Sequence, residues 1–198
     1  MNDVTGERAV VLRGDEDAPG EPMLVHLHVR PGGAVSGEHL HPAMQERFEV
    51  LNGSLATRVD GVERSLREGE AVTVAAGVWH DWWNASGAPV DVLIELTPPS
   101  PRFELAIATS FGLANAGRTN AKGVPSLLQV ALLGAEFSDV IVRRHPPAFV
   151  QRLAFGVLGF VARRRGLQAI YPEYLGPHGS VEPEPDALAA AGLSPISR

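Results

Sequence analysis

The sequence predicts a mainly β domain, an antiparallel sandwich or barrel, followed by α-helices. In the first half of the chain, short runs rich in β-branched residues alternate with glycine-rich turns, and no long helical pattern occurs. After Pro101 the runs become longer and richer in leucine and alanine, which is typical of helices. We therefore expect a β-domain at residues 1–100, a helical extension at 101–175 and a tail at 176–198.

The β-domain contains six runs with the composition of strands. The first run alternates histidines with valine and leucine, and it ends at Pro31-Gly32-Gly33. Asp60-Gly61 is the strongest hairpin signal in the chain, because this dipeptide readily adopts the positive φ angles of a two-residue turn. The predicted strands cover residues 23–30, 47–51, 54–59, 62–66, 71–75 and 90–97.

Three segments of the extension have helical patterns, at residues 103–113, 125–142 and 147–165. The third is apolar on all sides between residues 153 and 162, and Arg163, Arg164 and Arg165 follow. A helix of this kind is usually buried, so we expect it to pack on the barrel or on a second subunit. One alternative is an interfacial helix on an anionic membrane surface, and another is a helix that lids the barrel mouth. From residue 176 onward, the abundance of proline, glycine, alanine and serine predicts disorder.

Composition restricts the classes of function. The chain has no cysteine, so disulfides and thiolate metal sites are excluded and any metal must have nitrogen and oxygen ligands. The net charge of -6 argues against nucleic-acid binding. The first eight residues do not form a secretory signal, and no run reaches the roughly 18 apolar residues of a membrane span. The default expectation is therefore a cytoplasmic protein.

Three histidines and one glutamate are the candidate metal ligands. His39 and His41 are two residues apart, so a strand would place both side chains on one face. Glu46 follows a short turn-like segment, and a hairpin there would bring it opposite the two histidines. His80 lies further along, in the segment Trp79-His80-Asp81-Trp82-Trp83-Asn84. Three imidazoles and a carboxylate suit one divalent ion such as iron, nickel, manganese or zinc.

The spacing of these residues resembles the two motifs of the cupin superfamily. Residues 33–53 read G-x5-H-x-H-x4-E-x6-G, and residues 69–84 read G-x5-A-A-G-x2-H-x3-N. Ala75 stands where the family usually has proline, which changes a turn residue and leaves the ligand set intact. The resemblance, to small bacterial single-domain cupins, covers about half of the chain. It implies a jelly-roll-like conical antiparallel β-barrel, with one divalent metal ion bound by His39, His41, Glu46 and His80.

The resemblance also implies several functions. Three histidines and one glutamate form the pattern of quercetinase-like cupins, so a metal-dependent dioxygenase, an oxidoreductase, acting on a small organic molecule is the first hypothesis. Glu46 would be catalytic if it left the metal and took a proton from the substrate, or if it lay beside the metal as a base. The alternatives are a non-redox cyclase or isomerase, as in cupin polyketide cyclases, and a non-catalytic module that binds a small molecule. Cupins commonly dimerise through barrel edges, so a homodimer is expected.

Five other side chains of the β-domain can be read in more than one way. His26 and His28 match no motif position, and we expect them on the barrel wall or surface. Trp79 and Trp83 are expected to pack the core. Trp82 shares the face of His80 by the period of two along a strand, so either packing or lining of a pocket suits it.

Overall fold

The structure, a computed structural model, describes residues 1–35, 37–175 and 185–193. Within these residues the chain forms ten strands. Nine of them precede the helices, and the tenth lies between the second and the third helix. The strands are β1 (Glu7–Arg13), β2 (Met23–Val29), β3 (His39–Leu40), β4 (Gln45–Asn52), β5 (Ser54–Val59), β6 (Val62–Arg67), β7 (Ala71–Val74), β8 (His80–Trp83), β9 (Val90–Thr97) and β10 (Val142–Arg143).

Two five-stranded antiparallel sheets share one apolar core. Their strand orders are β1-β2-β9-β4-β7 and β10-β3-β8-β5-β6. Side chains alternate in and out along each strand, so Phe48 and Val50 of β4 lie inside with Leu55 of β5 and Trp82 of β8. The same alternation places Glu46 on the inner face of β4. The predicted β-domain with helices after it is confirmed, and each of the six predicted strands is present.

The expectation of a hairpin between His41 and Glu46 is wrong. β3 belongs to the second sheet and β4 to the first, so the chain between them crosses from one sheet to the other. β4 instead pairs with β7 and β9, with Glu46 in register with Val74 and Leu96. The carboxylate of Glu46 therefore approaches the histidines across the interior of the β-domain.

The helices are α1 (Pro101–Asn115), α2 (Leu127–Glu136), α3 (Ala148–Arg164) and α4 (Pro185–Ala190). Ser100 and Ser126 begin α1 and α2, since each side chain accepts a hydrogen bond from the backbone N–H three residues later. The helix α2 ends six residues before the predicted limit of 142, because the chain there extends to form β10 beside β3. Among the described residues, no helix is both long and apolar enough to cross a membrane.

A second apolar cluster joins the extension to the β-domain. Phe137 and Val140 are buried with Ala106 of α1, and Phe103 of α1 packs against both this cluster and the barrel core. The predicted disordered tail falls largely outside the described residues. In the part of this tail that the structure describes, α4 contacts β4 and β9, and its Ala187 is fully buried.

Candidate metal centre

The four candidate ligands of the sequence come together in one buried group. His39 of β3 lies in register with His80 of β8, and His41 follows one residue after β3. Glu46 reaches the same point from β4 of the other sheet. At most 4% of each residue is exposed, and one ligand atom from each lies within 4.8 Å of the other three.

Backbone carbonyls fix the orientation of all three imidazoles. Nδ1 of His39 lies 3.2 Å from the carbonyl of Gly37, and Nδ1 of His80 lies 3.1 Å from that of Val78. Nδ1 of His41 lies 2.7 Å from the carbonyl of Val140. A carbonyl oxygen can only accept, so in each ring Nδ1 carries the proton and donates it. Each neutral ring therefore has its lone pair on Nε2.

The Nε2 atoms of His41 and His80 face the carboxylate of Glu46. Its Oε2 is 2.9 Å from Nε2 of His80 and 3.2 Å from Nε2 of His41. Two acceptors at such distances repel each other unless a proton or a cation lies with them. Nε2 of His41 is also buried without a hydrogen-bond partner in the part of the chain that the structure describes.

The arrangement fits one divalent metal ion. Nitrogen and oxygen ligands bind such ions at about 2.0–2.2 Å, which places neighbouring ligand atoms roughly 3 Å apart. The separations between the Glu46 oxygen and the two Nε2 atoms agree with this value. A cation would also give the orphaned Nε2 of His41 its partner and remove the repulsion between the acceptors.

Electrostatics keep two of the ligands in the forms that bind a metal. Burial lowers the pKa of His39 well below its usual value, and the neighbouring His80 and His41 lower it further. Burial raises the pKa of Glu46, but the imidazoles of His41 and His80 beside it outweigh this effect, so its pKa lies below its usual value. At neutral pH, His39 is therefore neutral and Glu46 is ionised, as metal ligands must be.

The helical extension contributes directly to this centre. Besides the carbonyl of Val140, strand β10 pairs with β3, where Arg143 lies opposite His39. The ring of Phe103 meets that of His41 edge-on, with 5.7 Å between centroids. The extension is therefore part of the site, and the orientation of His41 depends on a residue 99 positions away in the sequence.

An apolar cavity adjoins the ligand group. His39, His41 and Glu46 contribute to its wall, together with inward-facing residues of β1, β2 and β9. Phe103, Ile107 and Phe111 of α1 line it from the side of the extension. Trp82 lines it as well and is also part of the barrel core, so it takes both of the roles considered for this residue. The wall is therefore largely apolar, with a few polar groups, as in most small-molecule sites.

Glu7, which no sequence pattern singles out, also lies in this cavity wall. It begins β1, is 6% exposed and accepts a hydrogen bond from the hydroxyl of Thr5. Burial raises its pKa to about 7, although the bond from Thr5 acts in the opposite direction. Glu104 lines the same cavity. A single glutamate at the start of a strand matches no motif, so only the fold identifies it.

His26 and His28 do not line the cavity. They point to the outer face of β2. There, Nε2 of His26 lies 3.0 Å and Nδ1 of His28 lies 2.9 Å from Oδ1 of Asp91. Their place on the barrel wall agrees with the expectation. The expectation that Trp79 and Trp83 pack the core is wrong, because both are only half-buried and lie outside the core cluster. Their rings are covered instead by the guanidinium groups of Arg144 and Arg58, respectively.

Comparison with known proteins gives three kinds of similarity. Residues 25–94 match the family model described as "Cupin domain". The chain is 37% identical over 83 residues to the tetracenomycin polyketide synthase protein TcmJ of Streptomyces glaucescens. That match covers 42% of this chain and 55% of TcmJ, so it spans only about half of the relative.

Solved structures match about half of this chain. KdgF from Halomonas sp. has a TM-score of 0.45 at 16% identity, and the match covers 50% of this chain and 84% of KdgF. The cupin domain of an XRE family transcriptional regulator from Enterobacter cloacae has a TM-score of 0.42 at 21% identity, covering 48% of this chain and 99% of that domain.

Proposed function

We propose that this chain, whose residues 25–94 match the cupin domain family, is a metal-dependent enzyme that cyclises or isomerises a small polyketide-like molecule by proton transfer. One observation carries the proposal. Two imidazoles and the carboxylate of the four-residue metal group line an apolar cavity whose wall also carries separate carboxyl groups, among them that of Glu7. Chemistry at an enolisable carbonyl needs these two elements, a cation at the oxygen and a group that takes or gives the proton.

The likeness to TcmJ supports this class of substrate. TcmJ is named as a protein of a polyketide synthase, and the 37% identity covers 83 residues of this chain. Polyketide chains carry carbonyl groups in 1,3-relation, whose enolate oxygens bind metals and whose intervening CH2 groups are acidic. An apolar cavity with a few polar groups suits such a molecule.

The residues divide this work. His39, His41, Glu46 and His80 would hold the metal, which when bound acts as a Lewis acid that lowers the pKa of a substrate enol or phenol. Glu7 would take the proton from carbon and return it, since a carboxyl group with a pKa near 7 suits both tasks at neutral pH. Phe103, Ile107 and Phe111 of α1 would keep water from the substrate.

Glu46 is the second candidate for the proton acceptor. It is close to His41 and His80, and its lowered pKa makes it a weaker base than Glu7. Glu7→Gln would lower kcat by about 10²–10⁴-fold with the metal retained if Glu7 is the base. If Glu7→Gln is instead as active as the wild type, Glu7 is not the group that transfers the proton.

A dioxygenase is the alternative function, favoured by the three-histidine, one-glutamate set that resembles quercetinase-like cupins. It would be an oxidoreductase that consumes molecular oxygen with its substrate. A non-catalytic cupin module would bind the same small molecules without converting them. A homodimer, as expected for cupins, is compatible with each of the three.

Metal content and oxygen dependence test these proposals together. We expect about one equivalent of divalent metal in the purified protein and none in His39→Ala/His80→Ala. The zinc-loaded protein should then convert a linear 1,3-diketone chain to cyclic product without oxygen, and the double variant should not. Conversion by the iron-, nickel- or manganese-loaded protein that requires and consumes oxygen would favour the dioxygenase. Binding without conversion under either condition would favour the module, and a metal-free protein after reconstitution would overturn the enzyme proposal.

A further inference from the structure

The outward face of α3 carries a row of exposed apolar side chains. Phe149, Leu153, Val157 and Phe160 follow one another at intervals of four, four and three residues, so they lie on one face of the helix. Their exposed fractions are 68%, 75%, 68% and 59%. At 1.5 Å per residue, the row is about 17 Å long. We call these four residues the α3 row.

The opposite face of α3 packs against α2. Gln151 and Ala162 are buried there, and α3 packs along α2, where Leu132 lies against Gly159 and Phe155 against Gly134. The helix is therefore held by the protein on one side. We expected this helix to be buried against the barrel or a second subunit, but it packs on α2 and only this inner face is buried.

Basic residues stand next to the α3 row. Arg163, Arg164 and Arg165 are exposed at the C-terminal end of the helix, and the guanidinium of Arg164 lies 5.0 Å from the ring centroid of Phe160. Residues 140–171 contain six arginines and no aspartate or glutamate, in a chain whose net charge is -6. Arginines near a helix C-terminus also stabilise the helix dipole, but this does not require four exposed apolar side chains beside them.

Charge decides between two occupants of this surface. If a second copy packed its α3 against this one, two arginine-rich segments without acidic residues would meet, and like charges across an interface are unfavourable. An anionic lipid surface offers the complementary charge to the arginines and an acyl boundary for the α3 row. We propose that α3 binds the protein peripherally to an anionic lipid bilayer through the α3 row and Arg163, Arg164 and Arg165. This proposal is independent of the reaction in the cavity.

Vesicle co-sedimentation of the full chain tests the proposal. The protein should sediment with vesicles of phosphatidylcholine and phosphatidylglycerol, and not with phosphatidylcholine alone, and high salt should weaken the binding. Leu153→Gln/Val157→Gln should abolish sedimentation. Neutralising Arg163, Arg164 and Arg165 with glutamine should weaken it by roughly fivefold per arginine. Val62→Gln is the matched control, because Val62 is 56% exposed on β6 and should leave binding unchanged.

Two results would overturn the proposal. The first is sedimentation that is absent, or that is the same for the wild type and both sets of variants. The second is a dimer in solution that Leu153→Gln/Val157→Gln converts to a monomer, with no binding to vesicles, since a second copy would then cover the α3 row. Far-UV circular dichroism and thermal melting establish that each variant is folded, which is expected because the substituted side chains are exposed.

Discussion

Glu7 keeps a carboxyl group in an apolar wall, and this makes stability depend on pH. Burial raises its pKa from 4.5 to about 7, so the folded chain binds this proton more tightly than the unfolded chain. The resulting stabilisation is complete below pH 4.5 and is lost as the pH rises through 7. Relative to Glu7→Gln, the wild type should lose roughly 2–3 kcal/mol of unfolding free energy between pH 5 and pH 8.

Urea denaturation of the metal-free proteins at several pH values measures this difference. Glu68→Gln is a suitable control, because Glu68 is exposed and its substitution should leave the pH profile unchanged. Parallel profiles for the wild type and Glu7→Gln would mean that the carboxyl group does not titrate differently in the folded chain.

Single residues also show what the sequence could predict about the site. The group of His39, His41, Glu46 and His80 was predictable because ligand chemistry depends on residue type, and its spacing is visible in the chain. Val140 could not be predicted, since it acts through a backbone carbonyl that every residue possesses. Glu7 could not be predicted because its role comes from burial in the cavity wall, which only the folded chain creates.

The same limit applies to strands and helices. Long runs such as β2 and β9 were predictable, because alternation and turn residues mark them locally. β3 and β10 have only two residues each, and they exist because they pair with strands that are distant in the sequence, β3 with β8 and β10, and β10 with β3. The crossing from β3 to β4 was missed for the same reason, since the sheet to which each strand belongs is decided by distant partners.

Phe137 gives an element-scale test of the link between the extension and the metal centre. It is 2% exposed and packs with Val140, whose carbonyl orients His41. Phe137→Ala should cost about 3–5 kcal/mol of stability and lower metal affinity by about 10–100-fold, because His41 loses its fixed orientation. Leu132→Ala in α2 removes an equally buried side chain away from this contact, so it should lower stability by about 2–5 kcal/mol with unchanged metal affinity.

Denaturation curves and metal titrations on the three proteins provide the comparison. Equal metal affinity for Phe137→Ala and Leu132→Ala would show that the Val140 carbonyl keeps its place without the second apolar cluster.

At the scale of the whole molecule, the candidate metal centre joins parts that are remote in the sequence. His39 and His80 belong to one sheet, Glu46 to the other, and His41 is oriented from the extension. Without a cation, Nε2 of His41 has no hydrogen-bond partner among the described residues, and the Glu46 carboxylate faces imidazole nitrogens. Metal binding therefore removes a cost of the folded state that the unfolded chain does not bear.

Metal should accordingly stabilise the entire fold. At a free metal concentration of about 100 times Kd, linkage contributes about 2.7 kcal/mol, which raises the Tm of a chain of this length by about 5–10 °C. Thermal melting with added zinc should show this rise in the wild type and in Glu7→Gln, which keeps all four ligands. His39→Ala/His80→Ala should show none, and calcium should have little effect because it prefers oxygen ligands throughout. An equal rise in the double variant would place the stabilising metal elsewhere on the protein, and the His39, His41, Glu46 and His80 group would lose its assignment as the metal centre.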